Sequence, residues 1–85
     1  MTTVFMYSTA TCPYCERARQ LLKQKHVTFT EIRVDEQPEK RAEMTTKTQR
    51  TSVPQIFINN NPIGGCDDLY ALDADGRLDK LLEKG

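Results

Sequence analysis

Cys12 and Cys15 stand three positions apart in Thr11-Cys12-Pro13-Tyr14-Cys15. That spacing suits two kinds of chemistry. One is thiol–disulfide exchange, which needs an exposed thiolate as nucleophile, a second thiol within disulfide reach, and a fixed backbone between them. The other is one half of a zinc site. Four-ligand zinc sites usually carry a second ligand pair, and the remaining candidates, Cys66 and His26, stand alone. The balance therefore favours redox chemistry.

The flanking residues predict how such a pair is positioned. Val4-Phe5-Met6-Tyr7 is a continuous apolar run, as in a central strand covered on both faces. Pro13 predicts a helix start, because proline lacks an N–H that would have no partner there anyway. The free amides of Tyr14 and Cys15 then point toward the Cys12 sulfur, and the helix dipole favours its negative charge. Cys15, Ala18, Leu21 and Leu22 share one helical face, so Cys15 is expected buried and protonated. The roles follow: Cys12 attacks and Cys15 resolves. Lys23, Lys25 and His26 close the helix with basic groups. No glycine is present to turn the chain there, so His26 is expected in the left-handed conformation, exposed and remote from Cys12.

Further along, Val27 to Val34 is β-rich, with an alternation that slips at Glu31-Ile32, and predicts a partly exposed strand. Asp35 to Gln37 reads as a turn and Pro38 to Thr48 as a weakly amphipathic helix, whose Thr45-Thr46 pair lowers helix propensity. Gln55 to Ile58 and Pro62 to Gly64, around Asn59-Asn60-Asn61, read as a hairpin. Asp67 and Asp68 suit a helix N-terminus, and Leu78, Leu81 and Leu82 mark a last helix. The order is β-α-β-α-β-β-α-α: an α/β chain with a parallel βαβ unit and an antiparallel hairpin in a four-stranded mixed sheet flanked by helices.

With 85 residues, one domain spanning 1–85 is expected. Twelve Lys and Arg balance twelve Asp and Glu, which argues against nucleic acid or an anionic membrane as the main partner. No stretch approaches the ~18 apolar residues of a membrane span. Met1-Thr2-Thr3-Val4 has no basic region followed by an apolar run, so no signal peptide is expected. Three cysteines make an odd count, unlike a secreted disulfide scaffold, and the cytoplasm is the expected compartment.

Three segments in order, Cys12-Pro13-Tyr14-Cys15, Ser52-Val53-Pro54 and Gly64-Gly65-Cys66-Asp67-Asp68, give the chain its likeness to a known family. It resembles the glutaredoxins, specifically the small bacterial dithiol type, over essentially its whole length. The resemblance implies a thioredoxin fold and a monomeric oxidoreductase with no permanent cofactor and no metal. Glutathione would be co-substrate, and glutathionylated or disulfide-containing proteins the partners. It implies a cis Val53–Pro54 bond that turns the Val53 backbone toward Cys12. It places Tyr14 beside the sulfur and Gly65, Cys66 and Asp67 on glutathione, with backbone N–H groups on the γ-glutamyl carboxylate and the Asp67 side chain on the amine. Bare of the resemblance, Cys66 is a small buried residue and Asp67 and Asp68 are helix caps. Arg41 is either a solvated helix residue or the cation facing the glycine carboxylate. Thr9 departs from the family, which often has Lys there; its loss removes a positive charge near thiolate and glutathione. Two other readings stand beside the enzyme: a glutathione-ligated iron–sulfur carrier, which Pro13 disfavours, and a dedicated hydrogen donor to ribonucleotide reductase, which the Gly64–Asp68 loop disfavours.

Overall fold

The computed structural model describes residues 3–83, so the reading of Met1 and Thr2 lies outside it. Eight elements follow the expected order: β1 (Val4–Ser8), α1 (Pro13–Gln24), β2 (Thr30–Arg33), α2 (Pro38–Thr48), β3 (Gln55–Ile58), β4 (Asn61–Gly64), α3 (Cys66–Ala74) and α4 (Arg77–Glu83). The sheet order is β2-β1-β3-β4. β1 runs parallel to β2 and antiparallel to β3, and β4 pairs antiparallel with β3. This is the four-stranded mixed sheet of the thioredoxin fold.

Side chains alternate across a strand, so the central strands feed two separate apolar layers. Val4 and Met6 of β1, with Ile56 and Ile58 of β3, pack with Ala18, Leu21 and Leu22 of α1, Leu69 of α3 and Leu78 of α4. Phe5 and Tyr7, with Phe57, face the other way, onto Val34, Met44 and Val53. Each large aliphatic side chain fully removed from water contributes about 1.5–3 kcal/mol. The first layer therefore anchors α1 firmly. The second holds α2 through Met44, its one buried residue. The Thr45 and Thr48 hydroxyls donate back to the carbonyls of Arg41 and Met44 at 3.0 and 2.8 Å, so the threonine-rich stretch stays helical with its polar groups satisfied.

β2 is shorter than the β-rich stretch from Val27 predicts, and the reason lies at the end of α1. The His26 amide donates to the Lys23 carbonyl and the Val27 amide to the Leu22 carbonyl, at 3.0 and 3.1 Å. That is the paired closure of a helix C-terminus, and Val27 packs against the layer that holds Leu22. With its amide closing the helix, Val27 cannot begin a strand. The hairpin turn is made by Asn59 and Asn60, with φ of 51° and 67°, the pair of left-handed residues that a tight two-residue hairpin requires.

His26 has φ of 59° and is exposed, as its sequence context implies. His26→Gly should leave stability unchanged or raise it by up to about 1 kcal/mol, because glycine occupies the left-handed region without a Cβ penalty. Urea denaturation measures this, and a marked loss of stability would contradict it.

Candidate active site

Cys12 caps α1. Its backbone is extended (φ −98°, ψ 112°), and its sulfur accepts a hydrogen bond from the Cys15 amide at 3.3 Å. Pro13 at the first helical position sets this geometry, and the Glu16 amide closes the first turn on the Cys12 carbonyl at 3.1 Å. Of the two amides expected at the sulfur, that of Cys15 makes the hydrogen bond. Cys12 is partly exposed, and as a thiol it donates toward the Val53 carbonyl at 3.8 Å.

Cys15 is fully buried, as its helical face predicts. Burial is the largest influence on its thiol and pushes it up to about 12, with the hydrogen bond to Cys12 adding to the effect; the Thr9 amide and the Arg19 guanidinium oppose it. Cys66 is also buried, and loss of solvent raises its thiol too. All three cysteines are free thiols. The pair thus consists of one accessible sulfur at a helix N-terminus and one neutral sulfur in reserve beneath it.

A cleft opens beside the Cys12–Cys15 turn. One wall is Ser52, Val53, Pro54 and Gln55, and the opposite wall is Gly65, Cys66, Asp67 and Asp68; Tyr14 stands at the mouth, 54 % exposed, and Arg50 lines the cleft as well. The Val53–Pro54 bond is cis. The two walls meet closely: a Cβ on Gly65 would lie 3.3 Å from the Pro54 carbonyl oxygen. α3 begins at Cys66, so its first amides, which have no intrahelical partners, face this end of the molecule. Asp68 is the capping acid, accepting from the Gly65 amide at 3.0 Å. Asp67 is exposed on the cleft wall.

Tyr14, Val53, Pro54, Gly65, Cys66 and Asp67 are therefore gathered around one cleft. Arg41 is not on its wall; its guanidinium donates to the Thr51 carbonyl at 2.8 Å and braces the segment before Ser52. The cation that lines the cleft is Arg50, 3.4 Å from the Asp68 carboxylate. Sequence reasoning missed it because it sought the cation on the α2 face. The signal lay in Arg50's place two residues before Ser52-Val53-Pro54. A second group missed is buried Ser8, whose hydroxyl donates to Glu31 at 2.5 Å. His26 sits at the far end of α1, about 18 Å of helix from Cys12.

Two predictions follow from these environments. Cys15 holds its proton more tightly folded than unfolded, so its contribution to stability is complete below pH 9 and is lost as the pH climbs toward 12. Tm should fall with rising pH above about 9, and Cys15→Ser should flatten the first part of that decline; identical slopes in the two proteins would contradict the assignment. Gly64 has φ of +115°, and a Cβ there would lie 2.2 Å from the Asp68 carboxylate oxygen. Gly64→Ala should destabilise the fold by about 1–3 kcal/mol in urea denaturation and disturb the start of α3.

The glutaredoxin family model matches residues 4–63. Glutaredoxin 3 of Escherichia coli K12 is 55% identical over 83 residues, covering 98% of this chain and 100% of that one. The solution structure of a glutaredoxin from Brucella melitensis superposes with a TM-score of 0.88 at 49% identity, covering 100% of this chain and 92% of that one. A crystal structure of a buckwheat glutaredoxin–glutathione complex superposes with a TM-score of 0.89 at 28% identity, over 95% and 76% of the two chains. Near-complete coverage at this identity takes in the dithiol turn and both cleft walls, and the chain belongs to the glutaredoxin family of thiol–disulfide oxidoreductases.

Proposed function

We propose that the protein is a glutathione-dependent oxidoreductase that reduces protein–glutathione mixed disulfides and protein disulfides. The observation that carries this reading is the asymmetry of the dithiol. Cys12 is accessible, with an amide hydrogen at its sulfur, and Cys15 is buried and neutral directly behind it. The adjoining cleft supports glutathione as the partner, and the buckwheat glutaredoxin of the same fold is a glutathione complex.

The reaction proceeds in two stages. The Cys12 thiolate attacks the glutathione sulfur of a mixed disulfide in line with the sulfur–sulfur bond. The protein thiolate leaves and takes a proton, and Cys12 is left bonded to glutathione. A second glutathione thiolate then attacks the glutathione sulfur on Cys12, releasing glutathione disulfide and the Cys12 thiolate. With a protein disulfide as substrate, Cys15 instead attacks Cys12, closes the Cys12–Cys15 disulfide and frees the target. Each exchange follows the thiolate character of the attacker and the acidity of the leaving thiol. In this reading the first amides of α3 at Cys66 and Asp67 hold the γ-glutamyl carboxylate, a role suited to a helix N-terminus. The Asp67 carboxylate takes the amine, and the Val53 backbone pairs with the glutathione cysteine. Arg50, which faces into the cleft, takes the glycine carboxylate, with Arg41 steadying the loop behind it. Such exchange runs in a glutathione-reduced compartment, the cytoplasm. Among the described residues no helix is long and apolar enough to cross a membrane.

A coupled assay with glutathione, glutathione reductase and a small glutathione mixed disulfide tests the proposal. Cys12→Ser should abolish turnover. Cys15→Ser should keep most of the turnover on the small substrate and lose reduction of protein disulfides. Equal loss in both variants on the small substrate would overturn the division of roles.

A further inference from the structure

The cleft beside Cys12 does not end at Arg50. A second hollow of about 240 Å³ adjoins it, and Arg50 and Gln55 line both. Its walls come from the end of α2, where Lys47 stands, and from Pro62 and Ile63 of β4. Gln55 is buried and its side-chain amide donates to the Ser52 carbonyl at 3.0 Å, so it serves as floor. The two hollows form one trough from the dithiol turn to Lys47.

The corner that carries both cations is braced. Gln49 closes α2 in the left-handed conformation, φ 58°, with its amide on the Thr45 carbonyl at 2.7 Å. The Arg50 amide then donates to the Thr48 hydroxyl at 3.1 Å. Neither cation is neutralised in place. Arg50 faces the Asp68 carboxylate at 3.4 Å with both side chains about half exposed, a pairing that water weakens. The exposed Lys47 rests its ammonium 5.7 and 5.9 Å from the Phe5 and Phe57 rings and makes no ion pair with a described residue. Glu43, the acid one turn before it, is engaged by Lys40 at 3.6 Å and by the Tyr7 hydroxyl at 2.9 Å.

Glutathione, in the orientation proposed above, places its glycine carboxylate at Arg50, and its chain stops there. A polypeptide does not stop. In the glycine place it has an amide carbonyl instead of a carboxylate, and an extended chain continues toward Lys47 at about 3.3 Å per residue. Both cations are then left to the side chains that follow the cysteine. Pro62 on the opposite wall has no amide hydrogen, so strand pairing gives little there and charge decides.

We propose, resting on that glutathione orientation, that the trough past Arg50 is a subsite for the polypeptide of a disulfide-bearing target, and that Lys47 and Arg50 select targets with acidic residues two to four places after the reacting cysteine. In the step served, the Cys12 thiolate attacks the target cysteine sulfur, the target sulfur–sulfur bond breaks, and the leaving thiolate takes a proton. Cys15 then gives up its proton and attacks Cys12, which closes the Cys12–Cys15 disulfide and returns the target cysteine as a thiol. The two cysteines are oxidised and the target disulfide is reduced.

The test uses short blocked peptides, each as its symmetric disulfide, so that either sulfur presents the same flank. Three carry glutamate, glutamine or lysine at the second to fourth places after the cysteine, and one carries its glutamates before the cysteine. Excess reduced protein is mixed with each, and acid-quenched samples are followed by mass. At low salt the glutamate peptide should react about fivefold faster than the glutamine peptide, and the lysine peptide slower, with the differences shrinking as salt is added. Glutamates placed before the cysteine should give no such gain. Lys47→Glu should lower the glutamate-to-glutamine rate ratio to about one or below. Lys47→Gln should lower it part of the way, and decides the matter if the charge reversal disturbs folding. Equal rates for the glutamate and glutamine peptides, the same gain from glutamates on either side, or an unchanged ratio in the deciding Lys47 variant would overturn the inference. Reduction of the peptides by a protein that does not react with glutathione disulfide would instead overturn the glutathione reading.

Discussion

The first turn of a helix carries amide hydrogens that no helical carbonyl can accept, and in this protein the Cys12 sulfur receives one of them. The contact requires α1 to begin immediately after Cys12 and to stay in place when the sulfur changes partner. Pro13 supplies the first condition. The second comes from Ala18, Leu21 and Leu22, which lock the helix against Met6 and Ile56 of the sheet. The same packing puts Cys15 out of water. Exposure of one sulfur and burial of the other are therefore two consequences of one helix placement.

The two sides of the sheet contribute differently. The α1 side is aliphatic and closely packed. The α2 side is aromatic, with Phe5 and Phe57 stacked at 4.8 Å, Lys47 above them, and the Tyr7 hydroxyl donating to Glu43 at 2.9 Å. Burial and that carboxylate push the Tyr7 phenol up to about 12. The segment between α2 and β3, which forms one cleft wall, is steadied by polar contacts: Arg41 on the Thr51 carbonyl and the Gln55 side chain on the Ser52 carbonyl. The Cys12–Cys15 pair is thus mounted on the rigid layer, and the opposing wall is held by hydrogen bonds.

Features governed by local rules were legible from the sequence. Pro13 and Pro38 marked two helix starts, the Asn run marked the hairpin, and the missing glycine at His26 marked a left-handed residue. The face shared by Cys15, Ala18 and Leu22 foretold which thiol is buried. The features that escaped depend on contacts between distant segments. Arg50 reaches the cleft through a loop whose path periodicity does not describe. Ser8 and Glu31 are 23 positions apart and meet because β1 and β2 run parallel, in a register that sets Ser8 against Arg33 and Met6 against Glu31. The early end of the β-rich stretch also escaped, since the Val27 amide is claimed by a carbonyl of α1.

The outer strand β4 carries Pro62 opposite Phe57. An exposed strand edge is a template on which another extended chain can add itself, a route to aggregation as well as to recognition. Proline has no N–H to offer such a visitor, and confinement to edges is the rule for proline in sheets. At Pro62 the border of the sheet is thus blunted against strand addition. The Cys12 sulfur can thus stay accessible while this stretch of the sheet border offers no donor to an added strand.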